Sequence, residues 1–315
     1  MTSNKFRLVT RSDFDGLVCA MLFKEMDMID DIKFVHPKDM QDGVIDITDR
    51  DITTNLPYNA GCHLCFDHHH SETVRVGDQN DGKLPENMII DADAPSAARV
   101  VYNYYGGKEK FPNIGEDLMF GVDQADSAQY NEEEVLHPDG WPLMNFLMDA
   151  RTGLGRFRNF KVSNYELMME LIDYCRNHTI EEVLQLPDVK ERVDLYFEQE
   201  TLFKTQIQMR TKIHGPLALL DLRLDDTIHA GNRFIIYALY PQCNISMHVL
   251  WGKDRKNTVF ALGKSIFDRS SKVNIGELCL KYGGGGHHAA GTCQVPNADY
   301  MRVQKELIDH INAAG

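Results

Sequence analysis

The chain has 315 residues, 43% of them hydrophobic, enough to bury a full core and to build two domains. Its 47 acidic against 33 basic residues leave a formal charge of −14, which opposes binding to long duplex DNA, where neutralisation of phosphates by Lys and Arg dominates affinity. No apolar run approaches the roughly 18 to 20 residues that span a bilayer, and no export signal is legible, so a cytoplasmic protein without a membrane partner is expected.

Along the first half, strand-like apolar runs alternate with helical stretches, the pattern of a parallel βαβ sheet. Phe6–Thr10 is the predicted first strand, and residues 16–23 open an apolar helix. Asp13 and Asp15 therefore fall in a strand-to-helix turn at the carboxyl end of the sheet, where open α/β folds place ligands. Residues 32–36 form the next strand. Residues 63–66 form a short strand that delivers Asp67-His68-His69 to the same edge. A second strong helix opens at Pro95 with Ser96 as its cap, and residues 118–126 carry a third acidic cluster.

From about residue 163 to 210 the chain reads as mainly helical and charged. Residues 217–222, 233–240, 245–251 and 258–262 then read as consecutive strands of a smaller α/β domain. The expected division is 1–190, a helical connector at 191–212, and 213–315. Seven cysteines argue for reduced thiols over a disulfide framework. Cys62 and Cys65 have CxxC spacing but no second pair follows, so both are read as structural thiols on a strand.

Three separated clusters, Asp13/Asp15, Asp67/His68/His69 and Asp123/Asp126, carry the chemistry. Carboxylates and imidazoles from several strand ends suit two divalent cations, which clamp the attacking and leaving oxygens of a phosphoryl group. Two carboxylates two residues apart in a turn can face one ion pair, whereas an Asx-turn explains only one of them. Asp123 and Asp126 share a helix face, one expected as a ligand and the other in support. Gly283 to Gly286 followed by His287-His288 offers backbone N–H groups suited to gripping a phosphate. Lys264, after a predicted strand, is either a basic contact in the same pocket or a plain surface residue.

Asp13-Phe14-Asp15-Gly16 and Asp67-His68-His69, in that order, resemble the DHH phosphoesterase superfamily, and Gly284-Gly285-Gly286-His287 resembles the GGGH motif of the DHH-associated C-terminal domain. The resemblance spans nearly the whole chain. It implies an α/β protein with a parallel-sheet catalytic domain, a helical connector and a smaller α/β substrate-binding domain, with the active-site cleft between the two domains. It also implies that Asp13 and Asp15 bind one metal each, that His68 is a ligand, that Asp67 supports and orients it, and that His69 faces the scissile phosphate. Gly284, Gly285, Gly286, His287 and His288 would hold the far end of the substrate. His70 carries no family role.

Family members place a bridging Asp at a strand end between the first two motifs. Here Asp46, Asp49 and Asp51 are candidates, while a strand over residues 51–55 ends on Asn55, a neutral amide; strand pattern favours Asn55. Many relatives also have a His just before the first Asp. This chain has Arg11 nearby, so either one metal is held loosely or Arg11 contacts substrate phosphate.

The implied activity is metal-dependent phosphodiester hydrolysis of short linear oligonucleotides, dinucleotides above all, to mononucleotides by hydroxide held on two Mn²⁺, with Mg²⁺ or Co²⁺ as alternatives. The expected partner is a short anionic nucleotide. A homodimer is compatible with the sequence, which leaves oligomeric state open. A polyphosphate hydrolase would need many basic groups, which the charge opposes. A non-catalytic nucleotide-binding relative is the other alternative, should Asn55 replace the bridge.

Overall fold

The structure is a computed structural model that describes residues 5–314. It divides into two units, one of residues 1–129, 139–150 and 155–193, the other of 130–138, 151–154 and 194–315. No helix among the described residues is long and apolar enough to cross a membrane.

The first unit opens with β1 (Phe6–Thr10), α1 (Phe14–Glu25), β2 (Ile29–Phe34), α2 (Pro37–Gln41), β3 (Asp51–Thr54), β4 (Leu64–Asp67), α3 (His70–Gln79), β5 (Met88–Ile90), α4 (Ala97–Tyr104) and α5 (Glu116–Asp126). Its five strands are all parallel, in the order β2-β1-β3-β4-β5. Leu8, Val9, Ile52, Cys65 and Phe66 are fully buried, as strands covered on both faces require. Every residue of α1 from Phe14 to Phe23 is buried, because α4, α5 and α8 (Asn164–Tyr174) pack around it. Each such Leu, Met or Phe contributes about 2 kcal/mol over exposure, so the helix that positions Asp15 is anchored by its whole circumference.

The chain continues through α6 (Glu132–Leu136), α7 (Gly140–Met148), α8, α9 (Ile180–Leu184) and α10 (Pro187–Arg210). The second unit then adds β6 (Thr211–His214), β7 (Leu217–Asp221), α11 (Ile235–Leu239), β8 (Ile245–Trp251), β9 (Asn257–Lys264), α12 (Ile275–Leu280), β10 (Gly285–His287), β11 (Ala290–Pro296) and α13 (Tyr300–Ala314). Its sheet runs β10-β11-β9-β8-β7-β6 and is antiparallel except for β7 with β8. One face is sealed by α12 and α13. Val303, Leu307 and Ile311, four residues apart on α13, join Met247, Val249, Phe260, Leu262 and Cys293 in one core.

Two readings of the sequence need correction. Residues 233–240 are not a strand: the side chain of Asn232 accepts from Phe234 N–H at 2.9 Å and starts the helical turn of α11. The glycine run is not an open loop either. Gly285–His287 form β10, and the Gly283 and Gly284 amides donate to the Leu280 and Cys279 carbonyls, both at 3.0 Å. All seven cysteines are buried, unpaired thiols.

Candidate active site

β1 and β3 are neighbours although β2 intervenes in the chain, so the strand order reverses between them. Ligands of open α/β sheets bind outside the carboxyl ends at such a point. Asp13 caps α1, its Oδ1 accepting from Gly16 N–H at 3.0 Å, while Oδ2 lies 3.0 Å from Arg11 Nε. Gly16 is needed because a Cβ there would stand 2.0 Å from the Arg11 carbonyl oxygen.

Asp15, only 2% exposed, follows in the first turn. Its Oδ1 accepts from Ala98 N–H at 2.8 Å, and its Oδ2 from Asn55 Nδ2 at 2.7 Å. Burial, reinforced by the nearby Asp126 and Asp13, pushes the Asp15 carboxyl up to about 8.

Asn55 directly follows β3 at φ 53°, a left-handed conformation that Asn tolerates better than most side chains. Register explains its position. Thr54 pairs with Phe66 across β3 and β4, and Asn55 N–H donates to the Phe66 carbonyl at 3.0 Å, so Asn55 stands beside Asp67. Asn55 Oδ1 is buried with no hydrogen-bond partner among the described residues.

Asp51 sits at the opposite end of β3. Its carboxylate takes Arg7 Nε at 2.7 Å and Thr48 N–H at 2.7 Å. Asp46 and Asp49 are exposed. None of the three joins Asp15.

At the end of β4, Asp67 Oδ1 accepts from His68 N–H at 2.9 Å and from His69 Nδ1 at 2.8 Å; Oδ2 is buried and unpartnered. His68 Nδ1 lies 3.1 Å from the Ala94 carbonyl, which places the proton on that nitrogen and turns Nε2 toward Asp126 Oδ2, 2.8 Å away. That contact is at ion-pair distance but off the hydrogen-bonding direction. Burial works against charge on His68, yet Asp126, Asp15 and Asp67 outweigh it and raise the ring to about 9. Asp126 is also opposed by burial, and His68 and Arg11 draw it below the usual carboxylate range.

Arg11 itself loses by burial and is held charged by Asp13, Asp126, Asp15 and Asp149. Asp123 lies on the same helix, α5, as Asp126. Its Oδ1 accepts from Ser96 Oγ at 2.7 Å and its Oδ2 from Arg99 Nε at 2.8 Å, so both oxygens are engaged. Arg99 carries no signal of this role in the sequence, because only the packing of α4 on α5 brings it there. His70 is exposed at the start of α3.

These donors fit divalent cations. Buried Asn55 Oδ1 and Asp67 Oδ2 have no partner among the described residues, His68 Nε2 lies 2.8 Å from Asp126 Oδ2, and the ligand atoms of Asp67, His68 and His69 lie within 4.8 Å of one another.

In the second unit, Lys264 Nζ donates to the Ser271 carbonyl at 2.9 Å and lies 3.2 Å from His288 Nδ1. The Gly284 amide, expected to face substrate, is engaged by Cys279, and the absence of a side chain there serves packing: a Cβ would stand 2.1 Å from the Thr292 carbonyl oxygen. Gly285 has open space where a Cβ would be, while His287 and His288 are exposed.

No protein-family model and no curated protein matches the chain. Among solved structures, it is 62% identical to a pGpG-specific phosphodiesterase, PggH, from Vibrio cholerae, over 99% of this chain and 100% of that one, with a TM-score of 0.86. The chain belongs to the DHH phosphoesterase superfamily. This DHH protein is a phosphodiesterase, a hydrolase of phosphate esters. Its fold is also that of RecJ from Thermus thermophilus, solved in complex with Mn²⁺, at 12% identity over 98% of this chain and 52% of RecJ, TM-score 0.52.

Proposed function

We propose that this DHH phosphodiesterase cleaves short linear oligonucleotides, dinucleotides such as pGpG foremost, to mononucleotides. The unit that carries Asp13, Asp15, Asn55, His68 and Asp126 does the chemistry, and the unit that carries Lys264, His287 and His288 holds substrate. The observation behind the chemistry is the pair of buried acceptors Asn55 Oδ1 and Asp67 Oδ2, without a partner among the described residues, beside the carboxylates Asp13, Asp15 and Asp126. The substrate class is supported by the relative that acts on pGpG.

Asp13, Asp15, Asn55, His68 and Asp126 would hold divalent cations, Mn²⁺ first, with Mg²⁺ or Co²⁺ as alternatives. Such ions supply Lewis-acid charge to phosphate oxygens and lower the pKa of water. Asp67 accepts the Nδ1 proton of His69 and fixes its tautomer, so that His69 Nε2 is the nitrogen that manages a proton at the departing oxygen. Asp123, clamped by Ser96 and Arg99, holds the end of α5 and with it Asp126. Arg11 balances the carboxylates and would receive a substrate phosphate.

A panel of linear dinucleotides, ten-residue oligonucleotides and polyphosphate, each with Mn²⁺, tests this reading. Dinucleotides are expected to turn over fastest. Polyphosphate hydrolysis at a rate equal to or above that of pGpG would refute it.

A further inference from the structure

β1 and β3 run side by side through the pairs Arg7 with Asp51, Leu8 with Ile52 and Val9 with Thr53. Beyond Val9 the two ladders part. Thr10 gives its carbonyl to Val35 N–H on the β2 side at 2.9 Å, while Thr54 pairs with Phe66 on the β4 side. Arg11 and Asp13 leave the sheet from the end of β1, and Asn55 leaves it from the end of β3, so the parting of these strands lies directly beneath the candidate metal centre.

Side chains tie the strands where the backbone ladder has ended. Thr54 Oγ1 donates to Thr10 Oγ1 at 2.7 Å, and Thr10 Oγ1 donates to the Thr54 carbonyl at 3.4 Å. Both residues are fully buried. A Cβ on Gly16 would stand 3.0 Å from Thr10 Oγ1, so the first turn of α1 rests against the same hydroxyl. Valine has the same branched shape and the same liking for strands and needs no partner, whereas a buried hydroxyl is costly unless it is paired. Two hydroxyls facing each other at the usual O–H···O length therefore make a directional tie that packing alone would not.

The tie holds a strained neighbour. Asn55, next after Thr54, sits at φ 53°, and a left-handed residue other than glycine persists where its surroundings fix it. Its N–H is fixed by the Phe66 carbonyl and its side chain by Asp15, and on the β1 side the hydroxyl pair fixes the residue before it.

We infer that Thr10 and Thr54 are positioning residues of the metal centre, their hydroxyl pair setting the separation of the carboxyl ends of β1 and β3 and with it the placement of Asn55 against Asp15. This rests on the proposed metal-binding role of Asn55 and Asp15 and adds what sets their geometry. Neither threonine is a ligand. Both act through Asn55 and the start of α1.

The test compares full-length wild type with Thr10→Val and Thr54→Val, which keep the shape and remove the hydroxyl, and with Thr10→Ser and Thr54→Ser, which keep the hydroxyl. Asp51→Asn, at the far end of β3, weakens the same strand away from the centre and serves as the control. Calorimetric Mn²⁺ titration, kcat and KM on pGpG at saturating Mn²⁺, and amide hydrogen exchange in chelator are read for each. The valine variants are expected to raise the Mn²⁺ Kd by about 10-fold, the lower end of what a partner behind a metal ligand is worth, and to lower kcat with KM within about threefold. The serine variants should stay within about threefold of wild type in Kd, and Asp51→Asn should bind Mn²⁺ as wild type does. Exchange of the Asn55 amide should be faster by about fivefold or more in the valine variants and unchanged in the serine variants. The two valine variants are independent, so the one that folds decides, with Thr10→Ala read the same way should both fail to fold. Variants without the hydroxyl that keep wild-type Mn²⁺ affinity and wild-type exchange at Asn55, or serine variants that lose as much as the valine ones, would overturn the assignment. If wild type binds no Mn²⁺, the metal reading falls by itself. Exchange at Asn55 then decides the tie separately, faster exchange in the valine variants supporting it and unchanged exchange overturning it.

Discussion

Asn55 donates its Nδ2 proton to Asp15 Oδ2 at 2.7 Å and leaves its own Oδ1 buried without a partner. The amide thus satisfies a buried carboxylate with one end and presents an acceptor with the other. A carboxylate in its place would set two anions against each other until a cation arrived.

Asn55→Asp should therefore lower thermal stability in chelator, by about 1 to 3 kcal/mol for the unpaired buried charge, and increase the stabilisation gained on adding Mn²⁺. Differential scanning calorimetry with and without Mn²⁺ reads both. A variant with unchanged Mn²⁺-induced stabilisation would place Asn55 outside the metal centre.

Asp51 belongs to the opposite end of β3, so its loss should cost stability and leave metal binding alone. Removing it strands Arg7, which is 25% exposed, and the expected penalty is about 2 kcal/mol after allowance for solvent. Burial opposes ionisation of Asp51, and Arg7 and Thr48 prevail, leaving its folded pKa below the unfolded value. That stability is fully present above roughly pH 4 and is lost as pH falls through the lowered folded pKa. Urea unfolding of Asp51→Asn should show a shallower loss between about pH 4 and pH 2 than wild type; an identical acid limb would remove Asp51 as a contributor.

The positions of the candidate metal-binding residues were legible because they follow strand ends. Asp13 and Asp15 after β1, Asn55 after β3, and Asp67 with His68 after β4 could be placed once the parallel strands were recognised. What was not legible depends on tertiary packing. The clamp of Ser96 and Arg99 on Asp123 needs α4 against α5, and the Gly284 amide reaching Cys279 needs α12 beside β10. Residues 233–240 misled because a short aromatic and β-branched run fits a strand or a buried helical turn equally well, and the Asn232 turn decides between them.

Asp123 and Asp126 share helix α5, and Asp126 is the proposed metal ligand of the two. Asp126→Ala should lose Mn²⁺ affinity, whereas Asp123→Asn, which weakens only the Arg99 and Ser96 contacts, should keep the metal stoichiometry and lose about 1 to 2 kcal/mol of stability. Calorimetric Mn²⁺ titration of the two variants separates these outcomes. Equal loss of metal in both would return Asp123 to the ligand set.

His69 is oriented by Asp67 and assigned to proton management, so His69→Ala should lower kcat by about 10²- to 10⁴-fold while Mn²⁺ still binds. Stopped-assay kinetics paired with metal analysis would show this. A variant within tenfold of wild-type kcat would take the proton away from His69.

The most direct test is release of GMP from pGpG, followed by chromatography for wild type, Asp15→Ala and His68→Ala, each with Mn²⁺ and each with EDTA. Wild type with Mn²⁺ should yield two equivalents of GMP per pGpG, and wild type in EDTA and both variants under either condition should yield essentially none while remaining folded by circular dichroism. Turnover by wild type in EDTA at its Mn²⁺ rate, or a tenth or more of wild-type rate in either variant, would contradict a metal-dependent phosphodiesterase centred on Asp15 and His68.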